Sequence, residues 1–417
     1  MSRASVGYCI TLCVLLTACF VWADPGPAWT ADSKGVRLWK ISELEHLASD
    51  RPCFAVLGEG LVWGFDATSG RTVWTRKIVD QDHLSSLYAI RGGVLLGGGR
   101  STRLLSWVDG TEIWTVHLGG FPILAHDGIL VLKQGGEPEG AVALSTTDGE
   151  VRYRREGEFE FDFPAEDTRV LGEVAGNFTG SAPHIVQFYR VRDGVTTCKL
   201  EIDIDPAWVI PVSQDRHLVQ EGFSCLCLLS LPNGSVKLIC EDPDSVYSKG
   251  FVGAGGTRYA FLIRGTKPNG DCWYFRVVDS ESGVPLSADP IPLTTATPYL
   301  TVDEYRAYVV VDRNEVDGSF VRAYRLADGN VDWEFTLRPT KAFLVAPAFL
   351  VGPWCIVQAC MGVDAEARGQ ATLWFLRRES GTLEAQIEDA CAGTPSFTSG
   401  ILALLSRDGI LRAYRIE

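Results

Sequence analysis

Several ingredients of chemistry are scarce in this chain. Only six of its 417 residues are histidine. None of them (His46, His83, His117, His126, His184, His217) stands at the close spacing that metal ligands on one helix or hairpin require. There is no Gly-x-Ser-x-Gly elbow to present a nucleophile. The glycine-rich "GGVLLGGGRSTR" (92–103) is followed by no helical pattern, so it reads as a crossing between strands rather than a phosphate cradle. Positive charge is also short, with 38 Lys and Arg against 52 Asp and Glu and a formal charge of −14. No basic stripe offsets that charge, which excludes a nucleic-acid partner. Helical periodicity is almost absent, and only "SELEHLASD" (42–50) reads as a short helix.

Long apolar runs are few. The first, Tyr8 to Val21, follows Arg3 and precedes "VWADPG", the layout of a secretory signal peptide cut after Ala23. The second, "KAFLVAPAFLVGPWCIVQAC" (341–360), is interrupted by Pro347, Gly352 and Pro353. Proline cannot donate a helix hydrogen bond, so two buried strands joined by a turn are expected, and no transmembrane anchor. The expected organisation is a signal peptide (1–23), a short linker (24–34) and one domain (35–417).

What the chain does have is a period. An aromatic residue follows a turn glycine by four positions in "LVWGFDATSGRTVWTRKI" (Gly70, Trp74), "LLSWVDGTEIW" (Gly110, Trp114), "TTDGEVRYRRE" (Gly149, Tyr153) and "RLADGNVDW" (Gly329, Trp333). Near the start, "GVRLWKI" repeats the interval with Gly35 and Trp39. The turn glycines Gly70, Gly110, Gly149, Gly194, Gly234, Gly283, Gly329 and Gly381 are separated by 40, 39, 45, 40, 49, 46 and 52 residues. A strand-only period of that size is one propeller blade. Glycine supplies the positive φ of a tight hairpin, and the aromatic four residues later lies on the outer strand facing the next blade. Trp39, Trp74, Trp114, Tyr153 and Trp333 are therefore blade-packing residues. Cys198, Leu238, Ser287 and Ala385 take that position elsewhere, where packing must differ.

The C-terminal "TPSFTSGILALLSRDGILRAYRIE" provides the inner strands of a blade and stops, and "GVRLWKI" offers the missing outer strand. The expected fold is thus all-β: a β-propeller closed by pairing of N- and C-terminal strands, which protects the last edges. Counting every unit gives nine; eight blades are expected, with one irregular unit absorbed and seven or nine as the alternatives.

The repeats "VWGFDATSGRTVW", "LLSWVDGTEIW" and "RDGILRAYRI" resemble the quinoprotein-type (pyrroloquinoline-quinone-like) propeller family. Catalysis in that family implies calcium ligands, an Asp base and adjacent cysteines. Here Cys225 and Cys227 are separated by Leu226, and most acids lie in hairpin turns, so neither a quinone nor another cofactor or metal is expected. The order of "LVWGFDATSGRTVWTRKI", "RLLSWVDGTEIWTVHL", "PHIVQFYRVRDGV" and "CLCLLSLPNGSVKL" is similar to that in the first lumenal propeller of subunit 1 of the endoplasmic reticulum membrane protein complex. That resemblance implies a non-catalytic scaffold in the endoplasmic reticulum lumen, with the other subunits of a membrane-protein insertion complex as partners. The family's subunit continues into a second propeller region and an anchor. Their absence here leaves a partial chain or a free lumenal relative. The alternatives to the insertion complex are a secreted, periplasmic or lumenal adaptor and a quinone-dependent dehydrogenase.

Of twelve cysteines, three lie in the leader, and nine is not a complete disulfide set. A two-residue Asn-Gly turn in "PNGS" sets Cys227 opposite Cys240, a disulfide candidate whose alternative is two buried thiols. Asn177 in "NFT" and Asn233 in "NGS" are glycosylation candidates. "EGEFEFDF" (156–163) alternates like a strand with one wet face. The segments least like strands, "CEDPDSVYSKGFVGAGG" with Tyr247 and "MGVDAEARGQ" with Asp364, Glu366 and Arg368, are the expected partner surface.

Overall fold

The computed structural model describes residues 29–32, 41–43, 53–58, 60–78, 84–134, 140–156, 170–175, 184–202, 206–213, 216–221, 225–230, 235–241, 245–252, 258–267, 270–279, 284, 286, 291–292, 298–311, 319–337, 342–344, 348–361, 371–390, 396–398, 400–405 and 410–416. These residues form strands and tight turns, and no helix occurs among them. In particular, no helix there is long and apolar enough to cross a membrane.

The protein is an all-β propeller. Among the described residues its strands form nine sheets in chain order, one for each repeat unit. Each unit brings its own run of apolar strand residues and so buries a sheet of its own. The third sheet shows the plan: Phe121–His126, Ile129–Gln134, Gly140–Ser145 and Val151–Glu156 follow one another as an antiparallel meander. Its middle strands are buried on both faces, and the residues of Gly140–Ser145 are all buried. That is why such strands read as near-continuous apolar runs rather than alternating ones.

Neighbouring sheets pack face to face through shared apolar clusters. Val62, Trp74, Leu87 and Leu96 join the first sheet to the second, and Leu104, Trp114, Leu130 and Leu144 join the second to the third. Phe65, Ala67, Ile401, Ala403, Leu411 and Ala413 join the first sheet to the ninth. The ring is closed there. The ninth sheet consists of Ser396–Thr398, Ile401–Leu405 and Ile410–Arg415, with a fourth strand from the other end of the chain.

Closure by both termini is as expected, but the closing strand is a different one. It is Trp29–Asp32, antiparallel to Ile410–Arg415, with Trp29 opposite Ala413 and Asp32 opposite Ile410. Of the expected strand "GVRLWKI", residues 35–40 lie outside the described residues. Ile41 begins a short strand, Ile41–Glu43, that runs parallel to Leu84–Ile90 of the second sheet. Residues 24–34 are therefore not merely a linker, and Ser42 and Glu43 are not helical.

Two further expectations meet the structure. The apolar stretch 341–360 does form strands, with Phe349–Val351 and Trp354–Met361 joined by a turn at Gly352 and Pro353. The supposed loop "CEDPDSVYSKGFVGAGG" contains the strand Ser245–Val252, with Tyr247 opposite Ile263. A register irregularity between Tyr247 and Gly250 breaks the two-residue period, which hides the strand from a periodicity reading.

Deleting residues 29–32 removes the closing strand and exposes the edge of Ile410–Arg415. The thermal midpoint is expected to fall by roughly 5 °C or more. An unchanged melt, followed by circular dichroism, contradicts closure of the ring by this strand.

Candidate functional site: the seams between blades

Each seam begins with a turn whose shape is set locally. In Ser106–Thr111 the Gly110 amide donates to the Ser106 carbonyl (3.0 Å) and the Ser106 amide to the Thr111 carbonyl (2.8 Å). Gly110 has φ 65°, and its counterparts Gly70, Gly149, Gly194, Gly329 and Gly381 lie between 66° and 73°. Only glycine takes that conformation without cost. The preceding Asp holds the turn from the other side. Asp109, Asp148, Asp193 and Asp328 each accept the amide of the residue just past the glycine, at 3.0 Å. These bonds hold the Asp109 and Asp148 carboxyls below the usual carboxylate range; at Asp193 and Asp328 the side chains of Arg190 and Arg325 do most of this and the amides add to it. The Asp-Gly pairs visible in the sequence are thus turn locks.

The glycine has a second task. In four seams the ring of one blade lies against the turn glycine of the next. A Cβ added at Gly149 would stand 2.9 Å from Trp114, one at Gly194 2.7 Å from Tyr153, and one at Gly381 2.5 Å from Trp333; Gly110 meets Trp74 in the same way. The ring's polar atom then reaches the carbonyl three residues before that glycine. Trp74 Nε1 donates to the Trp107 carbonyl (2.9 Å), Trp114 Nε1 to Thr146 (2.9 Å), Tyr153 Oη to Val191 (2.8 Å) and Trp333 Nε1 to Arg378 (2.8 Å). An indole or phenol pairs its polar tip while its body stays dry. Trp74, Trp114, Tyr153 and Trp333 are where the repeat places them, between blades.

Sequence reasoning missed a companion residue. Two positions after the aromatic, on the same face of the strand, Arg76 Nε donates to the Gly110 carbonyl (2.9 Å) and Arg155 donates to the Gly194 carbonyl. The spacings Trp-x-Arg and Tyr-x-Arg were the available signal. Where the aromatic is missing, other groups fill the seam. Phe275 and Tyr324 stack at 4.1 Å between the sixth and seventh sheets, where Ser287 lies outside the described residues. Ala385 packs among Phe375, Leu402 and Tyr414 between the eighth and ninth.

The seam between the seventh and eighth sheets also holds a charged network. Asp303 Oδ2 accepts from Tyr308 Oη (2.7 Å) and from Arg378 Nη2, while Oδ1 accepts the amides of Tyr305 and Arg306 at 2.7 Å. Arg378 Nη1 donates to the Gly352 carbonyl (2.9 Å), and the Arg378 carbonyl receives Trp333. Burial pushes the Asp303 carboxyl up, but the bonds from Arg378, Tyr308 and the two amides outweigh it, so the group is held below its ordinary range. Burial raises the Tyr308 phenol. Every donor and acceptor named here is satisfied within the chain, so the network clamps two blades and presents no reactive group.

The remaining candidates fare differently. Cys227 faces Leu238 and Cys240 faces Leu226. The expected opposition of Cys227 and Cys240 is corrected accordingly: Ser235 pairs with Ser230 rather than with Pro232, which displaces the register by two residues, and the irregularity between Leu226 and Cys227 restores only one of them. Trp39, Asn177, Asn233, Asp364, Glu366 and Arg368 lie outside the described residues. Among those described, no group of three or more His, Cys, Asp or Glu side chains is placed to hold a metal ion.

Replacing Trp114 by Ala is expected to cost about 3–5 kcal/mol in urea denaturation, as for other buried aromatics. Gly149→Ala is expected to destabilise as well, through both φ strain and collision with the same ring. Arg378→Ala, which strips a part-buried carboxylate of its cation, is expected to cost about 2–3 kcal/mol. The pH dependence follows from the lowered Asp303 carboxyl. Its contribution is complete above the unfolded value of roughly 3.9 and is lost as pH falls through the lower folded value. The stability gap between wild type and Asp303→Asn is therefore expected to be constant near neutrality and to shrink below about pH 4.

Residues 58–180 match the family model described as outer membrane protein assembly factor BamB. No curated protein matches the chain. Among solved structures it is similar to BamB from Moraxella catarrhalis (12% identity, 94% of this chain and 97% of that one, TM-score 0.49). It is also similar to a quinohemoprotein alcohol dehydrogenase from Pseudomonas putida HK5 (11%, 81% and 72%, 0.45). It is similar as well to a structure of the eukaryotic initiation factor (10%, 87% and 90%, 0.61). The last speaks for the propeller fold alone; the assembly-factor model covers the blades in which the aromatic and the turn glycine recur most regularly.

Proposed function

We propose that this protein is a non-catalytic β-propeller scaffold for protein assembly, and that it works in the endoplasmic reticulum lumen with the subunits of a membrane-protein insertion complex. The observation that carries the scaffold reading is the match of residues 58–180 to the model of an assembly factor. The geometry agrees with it. The described aromatic, Asp and Arg side chains of the seams are committed to holding blades together, which makes a rigid ring that carries its loops outward. The lumenal placement rests on the leader-like first 23 residues and on the family resemblance of the repeat order. A quinone-dependent dehydrogenase is disfavoured because Cys225 and Cys227 are not adjacent.

The deciding experiment is affinity purification of the tagged protein from native membranes in mild detergent. Recovery of the insertion complex supports the full proposal. Recovery of a different assembly partner retains the scaffold and replaces the complex. Dye-linked alcohol oxidation with added quinone and calcium, and no protein partner, overturns both. Replacing Asp364, Glu366 and Arg368 together by Ser is expected to reduce partner recovery severalfold at unchanged thermal stability.

A further inference from the structure

The outer strand of the first blade, Thr72–Lys77, stands last in its sheet and pairs only with Leu61–Asp66. Among the described residues, one edge of its backbone has no strand partner. Other blades end in such an edge too, but they differ in the residue that the strand inserts as a bulge. The register skips Val73 before Trp74, Ile113 before Trp114, Arg152 before Tyr153, Asp332 before Trp333 and Glu384 before Ala385. Three of these bulge residues are engaged within the chain. Arg152 meets Asp148 (3.4 Å) and Glu150 (3.6 Å), Asp332 meets Arg306 (2.6 Å), and Glu384 meets Arg377 (2.5 Å). Val73 and Ile113 are apolar instead, and they remain 51% and 44% exposed.

Charge sets the first of these strands apart. Residues 71–77 include Arg71, Arg76 and Lys77 and no carboxylate, in a chain whose formal charge is −14. All three cations are exposed. Arg76 donates to the Gly110 carbonyl, and among the described residues none of the three has a carboxylate partner. On the second blade's outer strand, by contrast, Glu112 meets Arg103 (3.8 Å). The next blade adds an apolar neighbour. Trp74 reaches the Trp107 carbonyl across the seam, and Val108, which follows Trp107 in that turn, is 74% exposed. A bare strand edge, three cations and two exposed valines thus share one seam of the outer wall.

We infer that this edge is a docking surface for an acidic, extended segment of a partner protein, which adds as a further strand beside Thr72–Lys77. Strand addition draws on the backbone edge for affinity and on side chains for selection. Arg71, Arg76 and Lys77 select carboxylates, while Val73 and Val108 offer apolar contact that a phosphate surface cannot use. The same cations repel a like edge, so two copies of this strand do not pair with each other. The inference rests on the scaffold reading but not on which complex the scaffold serves.

The test is fluorescence anisotropy of a labelled synthetic peptide of alternating Glu and Val, titrated with the purified full chain. Because no native partner is needed, its result is separate from that of the affinity purification. The peptide is expected to bind, and to bind more weakly as salt rises. A peptide with Lys in place of Glu, and a Glu–Val peptide whose backbone nitrogens are methylated, are both expected not to bind. Arg71→Glu combined with Lys77→Glu is expected to weaken binding by about tenfold or more at an unchanged thermal midpoint, since both side chains are exposed. Should that charge reversal lower the midpoint, Ser replaces Glu at both positions. Absence of binding, equal binding to the double variant, or equal binding of the methylated peptide overturns the inference. So does binding to phosphatidylserine vesicles without binding to the peptide. Dimers that the double variant abolishes, again without peptide binding, overturn it in favour of a second copy.

Discussion

The rest of this protein depends on one contact: the flat ring of an aromatic residue lying on the bare Cα of a glycine in the next blade. It requires the glycine twice, once for a positive φ and once for lack of a side chain. It requires an aromatic with a polar tip, because the carbonyl three residues before the glycine is reached by Nε1 or Oη. Apolar burial of an aromatic of this size is worth several kcal/mol in gross terms, and the hydrogen bond fixes where on the neighbour it is realised. Repeated around the ring, the contact makes each blade the template for the next, as nearest-neighbour interfaces do in repeat proteins.

The seams do not all use the same means. Where the ring on glycine is present, an Arg two residues on caps the glycine carbonyl in two cases. Between the seventh and eighth blades the carbonyl that receives Trp333 belongs to Arg378, whose guanidinium in turn meets Asp303 and Gly352. Between the sixth and seventh a Phe–Tyr stack carries the contact. Such variety fits a ring whose geometry is shared while its loops are free to differ, the arrangement by which propellers present binding surfaces on a rigid frame.

Much of this was legible in the sequence, because the signals are local. Asp-Gly at 109–110, 148–149, 193–194 and 328–329 announces a left-handed turn residue, and in all of these but 193–194 an aromatic follows four positions later, its place fixed by the geometry of that hairpin. The all-β class and the closure of the ring by both ends of the chain follow from the same repeats. Tertiary structure decided the rest. It set which residues close the ring, because the partner of Ile410–Arg415 comes from the far end of the chain and no turn marks its register; the closing strand is Trp29–Asp32 and not "GVRLWKI". It set the register around Cys227 and Cys240, because Ser235 pairs with Ser230 and a bulge follows, and neither can be counted outward from an assumed two-residue turn. It also assembled Asp303, Tyr308 and Arg378, since side chains from different blades meet only when the ring is packed.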